Sequence, residues 1–307
     1  MTIPTRTLGR TGVDVTTLGY GAMELRGQPR SPALDDGEAN RLLNAVLDAG
    51  VNLIDTSIDY GVSEELIGRH IGRRRDEYFL ASKCGCPLSG PPPGVALRDV
   101  HDFRPDNVRA GVDQSLRRLR TDRLDLLQVH MSPSRSRLSE NDTVATLHSL
   151  RDEGKIRFIG MSGTLPDLPD HIAMGVFDVF QIPYSAVQRE HEALISDARA
   201  TGAGILIRGG AARGAAADDK NWGADPIGLP AGEGQRRWQS SGIEELLDGM
   251  TRHEFLLRFT LSHPDLSSTI VGTSNPEHLK ANVAIAEKGP LPAHLYAEAK
   301  RQLPFPS

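Results

Sequence analysis

Residues 51–61 read VNLIDTSIDYG, and this stretch decides the fold. Its first four residues predict a short buried strand that ends at the carboxylate of Asp55. A turn leads to Tyr60, and a helix follows with Ser63 as its predicted cap. Strand, loop and helix in this order are typical of an α/β barrel, whose chemistry lies at the C-terminal ends of the strands. The segment alone also fits an ordinary strand–loop–helix unit in which Asp55 caps a turn.

Length and composition suit one barrel domain over residues 1–307. Hydrophobic residues make up 38% of the 307, and the net charge of -5 argues against a nucleic-acid partner. No run of 18 apolar residues and no apolar leader is present, so we expect no membrane partner and a cytoplasmic location. Cys84 and Cys86 are one residue apart and no second cysteine pair exists. This predicts reduced thiols, no disulfide and no metal site.

The rest of the chain alternates strand and helix signals. The predicted strands are 15–23, 51–54, 78–83, 124–129, 156–161, 177–182, 204–207 and 268–271. Eight such units predict an α/β fold closed into a (β/α)8 TIM barrel. Residues 3–16 predict a small N-terminal β-hairpin, and an extra C-terminal helix follows Pro292. An open doubly wound sheet is the alternative, but it usually carries a G-x-G-x-x-G turn after the first strand, which this chain lacks.

One long irregular segment, Ala211–Ser241, follows the seventh strand. It is rich in Gly, Ala and Asp, and Trp222 and Trp238 lie within it. Loops of this length are usually functional lids or disordered insertions, and we favour a lid.

Four side chains are predicted to meet at one barrel mouth. Asp55, Lys83 and His130 each follow or end a strand, and Tyr60 lies in the loop above them. An ammonium near a phenol favours its ionised form, so Lys83 is expected to lower the pKa of Tyr60 while Asp55 holds Lys83 charged. A neutral His130 can donate a hydrogen bond to a carbonyl oxygen. Taken one at a time, the residues have simpler interpretations: Lys83 and Asp55 as a structural ion pair, and His130 as a buried core histidine.

These residues and their spacing resemble the aldo-keto reductase superfamily over essentially the whole chain. The matching pieces are residues 8–12, 54–56, 60–61, 65–68, 82–83, 124–130, 154–157 and 272–274. The resemblance implies a catalytic tetrad of Asp55, Tyr60, Lys83 and His130. Tyr60 is then the general acid, Lys83 and Asp55 tune it, and His130 orients the substrate.

The resemblance also implies a nicotinamide cofactor, NADPH (NADP) with NAD possible, bound without a Rossmann fold. The expected cofactor-binding residues are Gly21, Ala22, Met23, Asp55, Ser162, Gly163, Gln181, Arg208, Gly209, Gly210, Ala211, Gly272, Thr273, Ser274, His278 and Asn282. Independently of the family, Thr273, Ser274 and a helix opened by Asn275-Pro276 predict an anion site.

The sequence departs from the family pattern at three places. Gly163 stands where many members have Asn or Asp, and Arg208 stands where an aromatic residue often stacks on the nicotinamide. Many members bind the 2′-phosphate of NADPH with Lys and Arg. This chain has Gly272 and His278 at the matching positions, with Lys280 nearby, so fewer positive charges support a preference for NADPH.

The expected activity is NAD(P)H-dependent reduction of a small aldehyde, ketone or sugar carbonyl, reversible as alcohol oxidation. The expected partner is therefore a small-molecule carbonyl or alcohol substrate. Two alternatives remain: a cofactor-binding regulatory subunit similar to channel-associated family members, and a phosphate-binding barrel lyase or isomerase that uses the Thr273-Ser274 loop.

Overall fold

The computed structural model describes residues 2–27, 33–89, 100–211 and 232–303. Eight parallel strands close into a barrel in chain order, so the first strand also pairs with the last. The barrel strands are β3 (Leu18–Gly21), β4 (Leu53–Asp55), β5 (Phe79–Cys84), β6 (Leu124–Val129), β7 (Ile156–Ser162), β8 (Val179–Pro183), β9 (Gly204–Arg208) and β10 (Ser268–Val271). The predicted (β/α)8 barrel is confirmed.

Helices surround the barrel. They are α1 (Asp36–Asp48), α2 (Ser63–His70), α3 (Pro105–Leu119), α4 (Arg135–Glu140), α5 (Thr143–Asp152), α6 (Leu168–Met174), α7 (Glu192–Ala200), α8 (Glu233–Ser240), α9 (Arg252–Leu261), α10 (Pro276–Lys288) and α11 (Ala293–Gln302). The last of them is the expected C-terminal helix. Among the described residues, none of the helices is long and apolar enough to cross a membrane.

The apolar core has two parts. The larger cluster lies between the barrel and its helices. The smaller cluster fills the barrel and joins Leu53, Phe79, Leu126 and Leu206 to Leu8 of the N-terminal hairpin. This hairpin pairs β1 (Thr5–Thr7) with β2 (Asp14–Thr16). Because Leu8 is fully buried in the smaller cluster, the hairpin closes the N-terminal end of the barrel.

Several predicted strand boundaries are wrong by one or two residues, and two larger differences have a reason in the structure. The expected first strand, 15–23, divides into β2 and β3, because Thr17 donates its backbone N–H to Pro4 and so belongs to the hairpin side of the break. Ala22 and Met23 fall in a short 3-10 helix, Ala22–Arg26. Ser63 is the first residue of α2 rather than its cap. Its hydroxyl donates to the carbonyl oxygen of Ala22 at 3.0 Å, which joins α2 to the short helix after β3.

The segment Ala211–Ser241 is only partly described. Residues 212–231, including Trp222, lie outside the described residues, and so does most of the expected lid. Its last part is not irregular, since α8 occupies Glu233–Ser240. Trp238 in this helix is 4% exposed and packs at 6.1 Å against the ring of Phe255 in α9. This apolar contact packs α8 against α9.

Candidate active site

The four expected catalytic residues lie together at the C-terminal end of the barrel. Asp55 is the last residue of β4, Lys83 is the penultimate residue of β5, and His130 follows β6 directly. Because these strands are parallel neighbours, their ends bring the three side chains side by side. Tyr60 belongs to the loop between β4 and α2.

Asp55 and Lys83 form an ion pair inside the mouth. Nζ of Lys83 lies 2.7 Å from Oδ2 of Asp55, and the two side chains are 1% and 2% exposed. The other carboxylate oxygen accepts hydrogen bonds from the amides of Gln128 and Gln181 at 2.8 and 2.9 Å. Burial opposes a charged Lys83, but the Asp55 carboxylate, together with Tyr60 and Asp59, outweighs it and raises the lysine pKa above its usual value. Lys83 is therefore an ammonium.

Tyr60 covers this ion pair with its ring. The ring centroid lies 4.8 Å from Nζ of Lys83 and 5.0 Å from the guanidinium carbon of Arg26. Lys83 lowers the pKa of Tyr60 as predicted, but the net shift of that pKa is upward. Burial raises the pKa of Tyr60 more than Lys83 lowers it, and the nearby carboxylates of Asp55 and Asp59 add to the rise. The phenol is thus held in the form that carries its proton.

His130 is buried and neutral. Burial lowers its pKa to about 3. Its Nδ1 lies 3.3 Å from Sγ of Cys86 and 3.3 Å from Nε2 of His101. Sequence reasoning missed His101 and Asp59 and treated Cys86 as an ordinary thiol. The available signal was a Cys and a His in the loop that follows the strand of Lys83.

The expected carboxamide-holding residues lie on neighbouring strands. Ser162 and Gln181 are register partners of β7 and β8, and the hydroxyl of Ser162 donates to Oε1 of Gln181 at 3.3 Å. At Gly163 a Cβ atom would come within 2.8 Å of a methyl carbon of Leu168. The side chain that many family members carry there has no room here unless Leu168 shifts.

The mouth has unused hydrogen-bonding capacity. Oε1 of Gln128 is buried and has no hydrogen-bond partner among the described residues, although the same amide donates to Asp55. A buried acceptor of this kind is normally satisfied by water or a ligand. The residues present therefore fit a polar group, such as a carboxamide, that donates a hydrogen bond to Gln128.

Residues 208–211 form a tight turn after β9. Arg208 is 8% exposed at the strand end, and Gly209 has a φ of +72°. A Cβ atom on Gly210 would lie 2.3 Å from the hydroxyl of Thr269, and its carbonyl accepts from the hydroxyl of Thr260 at 2.7 Å. The glycine here is required by packing against β10 and α9. Ala211 is buried.

The ends of β3 and β10 meet beside this turn. A Cβ atom on Gly272 would lie 2.5 Å from the carbonyl oxygen of Gly21, so the backbone at Gly272 runs very close to the backbone at Gly21. Ala22 is buried and Met23 half-buried in the short helix that follows. Gly19, another small residue of β3, packs against Leu53 instead, which a Cβ would approach to 2.7 Å.

The residues expected to bind the phosphate of the cofactor differ in their surroundings. The hydroxyl of Thr273 accepts from the backbone N–H of Asn275 at 3.0 Å, so it stabilises the loop itself. The helix α10 begins at Asn275-Pro276, as predicted, and Asn275 caps it by accepting from Glu277 N–H at 2.9 Å. Ser274 is half-buried and His278 is exposed. Asn282 is turned towards α9, where its Oδ1 lies 2.6 Å from Nε2 of His253.

Comparisons of this chain with a family model, with curated proteins and with solved structures agree with one another. The model of the aldo/keto reductase family matches residues 17–302. L-galactose dehydrogenase of Arabidopsis thaliana is 28% identical, over 92% of this chain and 88% of the relative. NADH-specific methylglyoxal reductase of Escherichia coli is 28% identical, over 90% and 91%. The holo form of an aldo-keto reductase from Bacillus halodurans superposes with a TM-score of 0.83 at 25% identity, over 98% and 97% of the two chains.

Proposed function

Because the chain belongs to the aldo/keto reductase family, we propose that it reduces a small aldehyde, ketone or sugar carbonyl with NAD(P)H and also oxidises the corresponding alcohol. The observation that carries this proposal is the buried Lys83–Asp55 pair beneath the ring of Tyr60. The names of two relatives, a sugar dehydrogenase and a methylglyoxal reductase, support this substrate class.

Tyr60 acts as the general acid in this proposal. A nicotinamide cofactor, whose carboxamide Ser162 and Gln181 would hold, would supply the hydride to the carbonyl carbon. The Tyr60 hydroxyl gives its proton to the carbonyl oxygen, and the phenolate left behind is stabilised by the ammonium of Lys83. Asp55 keeps that ammonium charged and in place. Solvent then restores the proton of Tyr60.

His130 orients the substrate in the same proposal. A neutral imidazole donates one hydrogen bond, and a donor aimed at the carbonyl oxygen stabilises the negative charge that develops there. Because burial keeps His130 neutral, it supplies this hydrogen bond without competing with Tyr60 for the proton transfer.

Replacing Tyr60 with Phe tests the chemistry. We expect turnover with methylglyoxal and with aldoses to fall about 100-fold or more, since a general acid typically contributes that much, while cofactor affinity stays the same. Tyr78→Phe is the matched control, because the buried Tyr78 hydroxyl has no hydrogen-bond partner in the described part of the chain. Turnover that survives in Tyr60→Phe would remove Tyr60 from the mechanism. No turnover in the wild type, with cofactor bound, would favour the regulatory-subunit alternative.

We propose NADPH as the preferred cofactor. Its support is the group of polar residues at the start of α10, where Lys280 is exposed and paired with Glu277 at 2.8 Å. A fluorescence titration with NADPH and NADH should show tighter binding of NADPH, and Lys280→Gln should weaken only NADPH. Lys288→Gln, at the other end of α10, is the control. Equal binding of both cofactors would overturn the preference, and binding of neither would overturn the cofactor assignment.

A further inference from the structure

Asp59, Cys86, His101 and His130 form a compact group beside the proposed catalytic residues. One potential ligand atom from each lies within 4.8 Å of every other. Three of the residues come from loops that follow β4 and β5, and His130 follows β6. We call this group the Asp–Cys–His–His cluster. The sequence predicted no such group.

The spacing within the cluster fits a tetrahedral metal ion. Nδ1 of His130 lies 3.3 Å from Sγ of Cys86, 3.3 Å from Nε2 of His101 and 3.9 Å from Oδ2 of Asp59. A tetrahedral zinc ion with Zn–N bonds of about 2.0–2.1 Å and a Zn–S bond of about 2.3 Å places its ligand atoms roughly 3.3–3.6 Å apart. The other pairs of ligand atoms lie within 4.8 Å of each other, so side-chain movement would have to bring some of them closer.

Hydrogen bonding does not account for the arrangement. Three groups converge on Nδ1 of His130, and an imidazole nitrogen makes one hydrogen bond, as donor or as acceptor. Oδ2 of Asp59 is buried and has no hydrogen-bond partner in the described residues, whereas Oδ1 is held by the hydroxyl of Ser57. The Asp59 side chain is only 2% exposed. This buried carboxylate oxygen has no hydrogen-bond partner and lies close to three other potential metal-ligand atoms, which indicates a cation site.

The charges of the cluster also suit a divalent cation. A thiolate from Cys86 and the carboxylate of Asp59 balance two positive charges, and two neutral imidazoles add none. Two cationic side chains lie near Asp59. The ammonium of Lys83 is already paired with Asp55, and the guanidinium of Arg26 donates to the backbone carbonyl of Asp59 rather than to its carboxylate. A neutral complex avoids the large cost of an uncompensated charge in a buried site.

We propose that the Asp–Cys–His–His cluster binds one divalent transition-metal ion of the zinc class. The ligands are Oδ2 of Asp59, Sγ of Cys86, Nε2 of His101 and Nδ1 of His130. Binding forms a metal–sulfur bond, and the Cys86 thiol releases its proton to solvent. The proton of the His130 ring must then reside on Nε2. This last consequence rests on the proposed function, because it makes Nε2–H the donor that faces a carbonyl oxygen.

A cobalt titration of the full-length, chelator-treated protein tests the site. We expect one Co²⁺ per chain, with the visible bands of tetrahedral cobalt and a near-ultraviolet thiolate-to-cobalt charge-transfer band. Cys86→Ser should lose the charge-transfer band. Cys84→Ser is the matched control and should keep it, since Cys84 is equally buried but lies outside the cluster. Zinc should displace the cobalt and abolish both spectra.

A second pair of measurements guards against misfolded variants. Asp59→Asn, which keeps the shape of the side chain, should weaken cobalt affinity at least tenfold, and metal addition in weak buffer should release about one proton per ion in the wild type. Circular dichroism checks that each variant is folded. The proposal is wrong if the wild type shows no charge-transfer band, or if Cys84→Ser loses it as fully as Cys86→Ser. The titration contains neither cofactor nor carbonyl, so its failure is distinct from failure of the proposed reductase activity.

Discussion

Asp55 is the residue on which the mouth of the barrel depends. It is buried, it holds Lys83 charged, and it accepts two further amide hydrogen bonds, from Gln128 in β6 and Gln181 in β8. A buried carboxylate tolerates such a position only while its charge is compensated. The ion pair therefore stabilises the mouth of the barrel and also takes part in the proposed chemistry.

Lys83→Met should be strongly destabilising. It leaves Asp55 buried without its counter-charge, and breaking a buried pair in this way costs about 3–5 kcal/mol of unfolding free energy. Asp55→Asn combined with Lys83→Met should recover part of that loss, because no buried charge remains. Urea unfolding of the two single variants and the double variant completes the cycle. A double variant no more stable than Lys83→Met would show that the charges are not coupled.

At the scale of elements, the N-terminal hairpin is held against the base of the barrel at very short range. Gly9 has a φ of +52°, and a Cβ atom there would lie 2.2 Å from the backbone nitrogen of Gly204 in β9. The next residue donates its N–H to the carbonyl of Gly202 at 2.7 Å. Only a glycine permits both the left-handed conformation and the contact.

Gly9→Ala should therefore destabilise the protein more than Gly12→Ala does. Both positions have positive φ, but nothing lies within 4 Å of a Cβ on Gly12. The backbone strain alone costs about 1–2 kcal/mol in either variant, and Gly9→Ala must also move the hairpin away from β9. Urea unfolding gives the comparison. Equal losses in the two variants would mean that the hairpin does not pack tightly against the barrel in solution.

At the scale of the whole molecule, buried histidines make the fold sensitive to acid. Burial lowers the pKa values of His171 and His263, and burial with the charge of Arg208 lowers that of His191 to about 4. Nε2 of His191 accepts the backbone N–H of Leu165 at 3.1 Å, which requires the neutral ring. Protonation is therefore easier in the unfolded chain than in the fold.

Stability should fall as the pH drops from 6.5 towards 4. The pKa of His191 is lower in the folded state than in the unfolded state. Neutral His191 therefore contributes its full stability above the pKa of the unfolded state, and this contribution is lost as the pH falls towards the pKa of the folded state. This residue alone should cost about 1–2 kcal/mol of unfolding free energy at pH 5 relative to pH 7. His191→Gln should show a correspondingly smaller difference between urea unfolding at the two pH values. Exposed His294→Gln is the control, and an unchanged difference in His191→Gln would contradict the prediction.

The sequence alone determined the barrel, and the reason is that its signals are local. Short apolar runs, glycine stops and helix caps alternate eight times, and strands 124–129 and 268–271 have the predicted bounds. The strand ends also predicted that Asp55, Lys83 and His130 would lie together, since neighbouring parallel strands end at the same face. Boundaries failed where a distant contact decides them, as at Thr17, whose N–H pairs with Pro4.

Only the tertiary structure decided the electrostatics of the mouth. The direction of the shift in the Tyr60 pKa depends on two opposing effects, the burial of the ring and its distance from Lys83. Neither quantity is encoded in a short stretch of sequence. The meeting of Asp59, Cys86, His101 and His130 likewise depends on how three loops fold over the barrel. Loop conformations depend on long-range packing more than on local propensity, so these contacts became visible only in three dimensions.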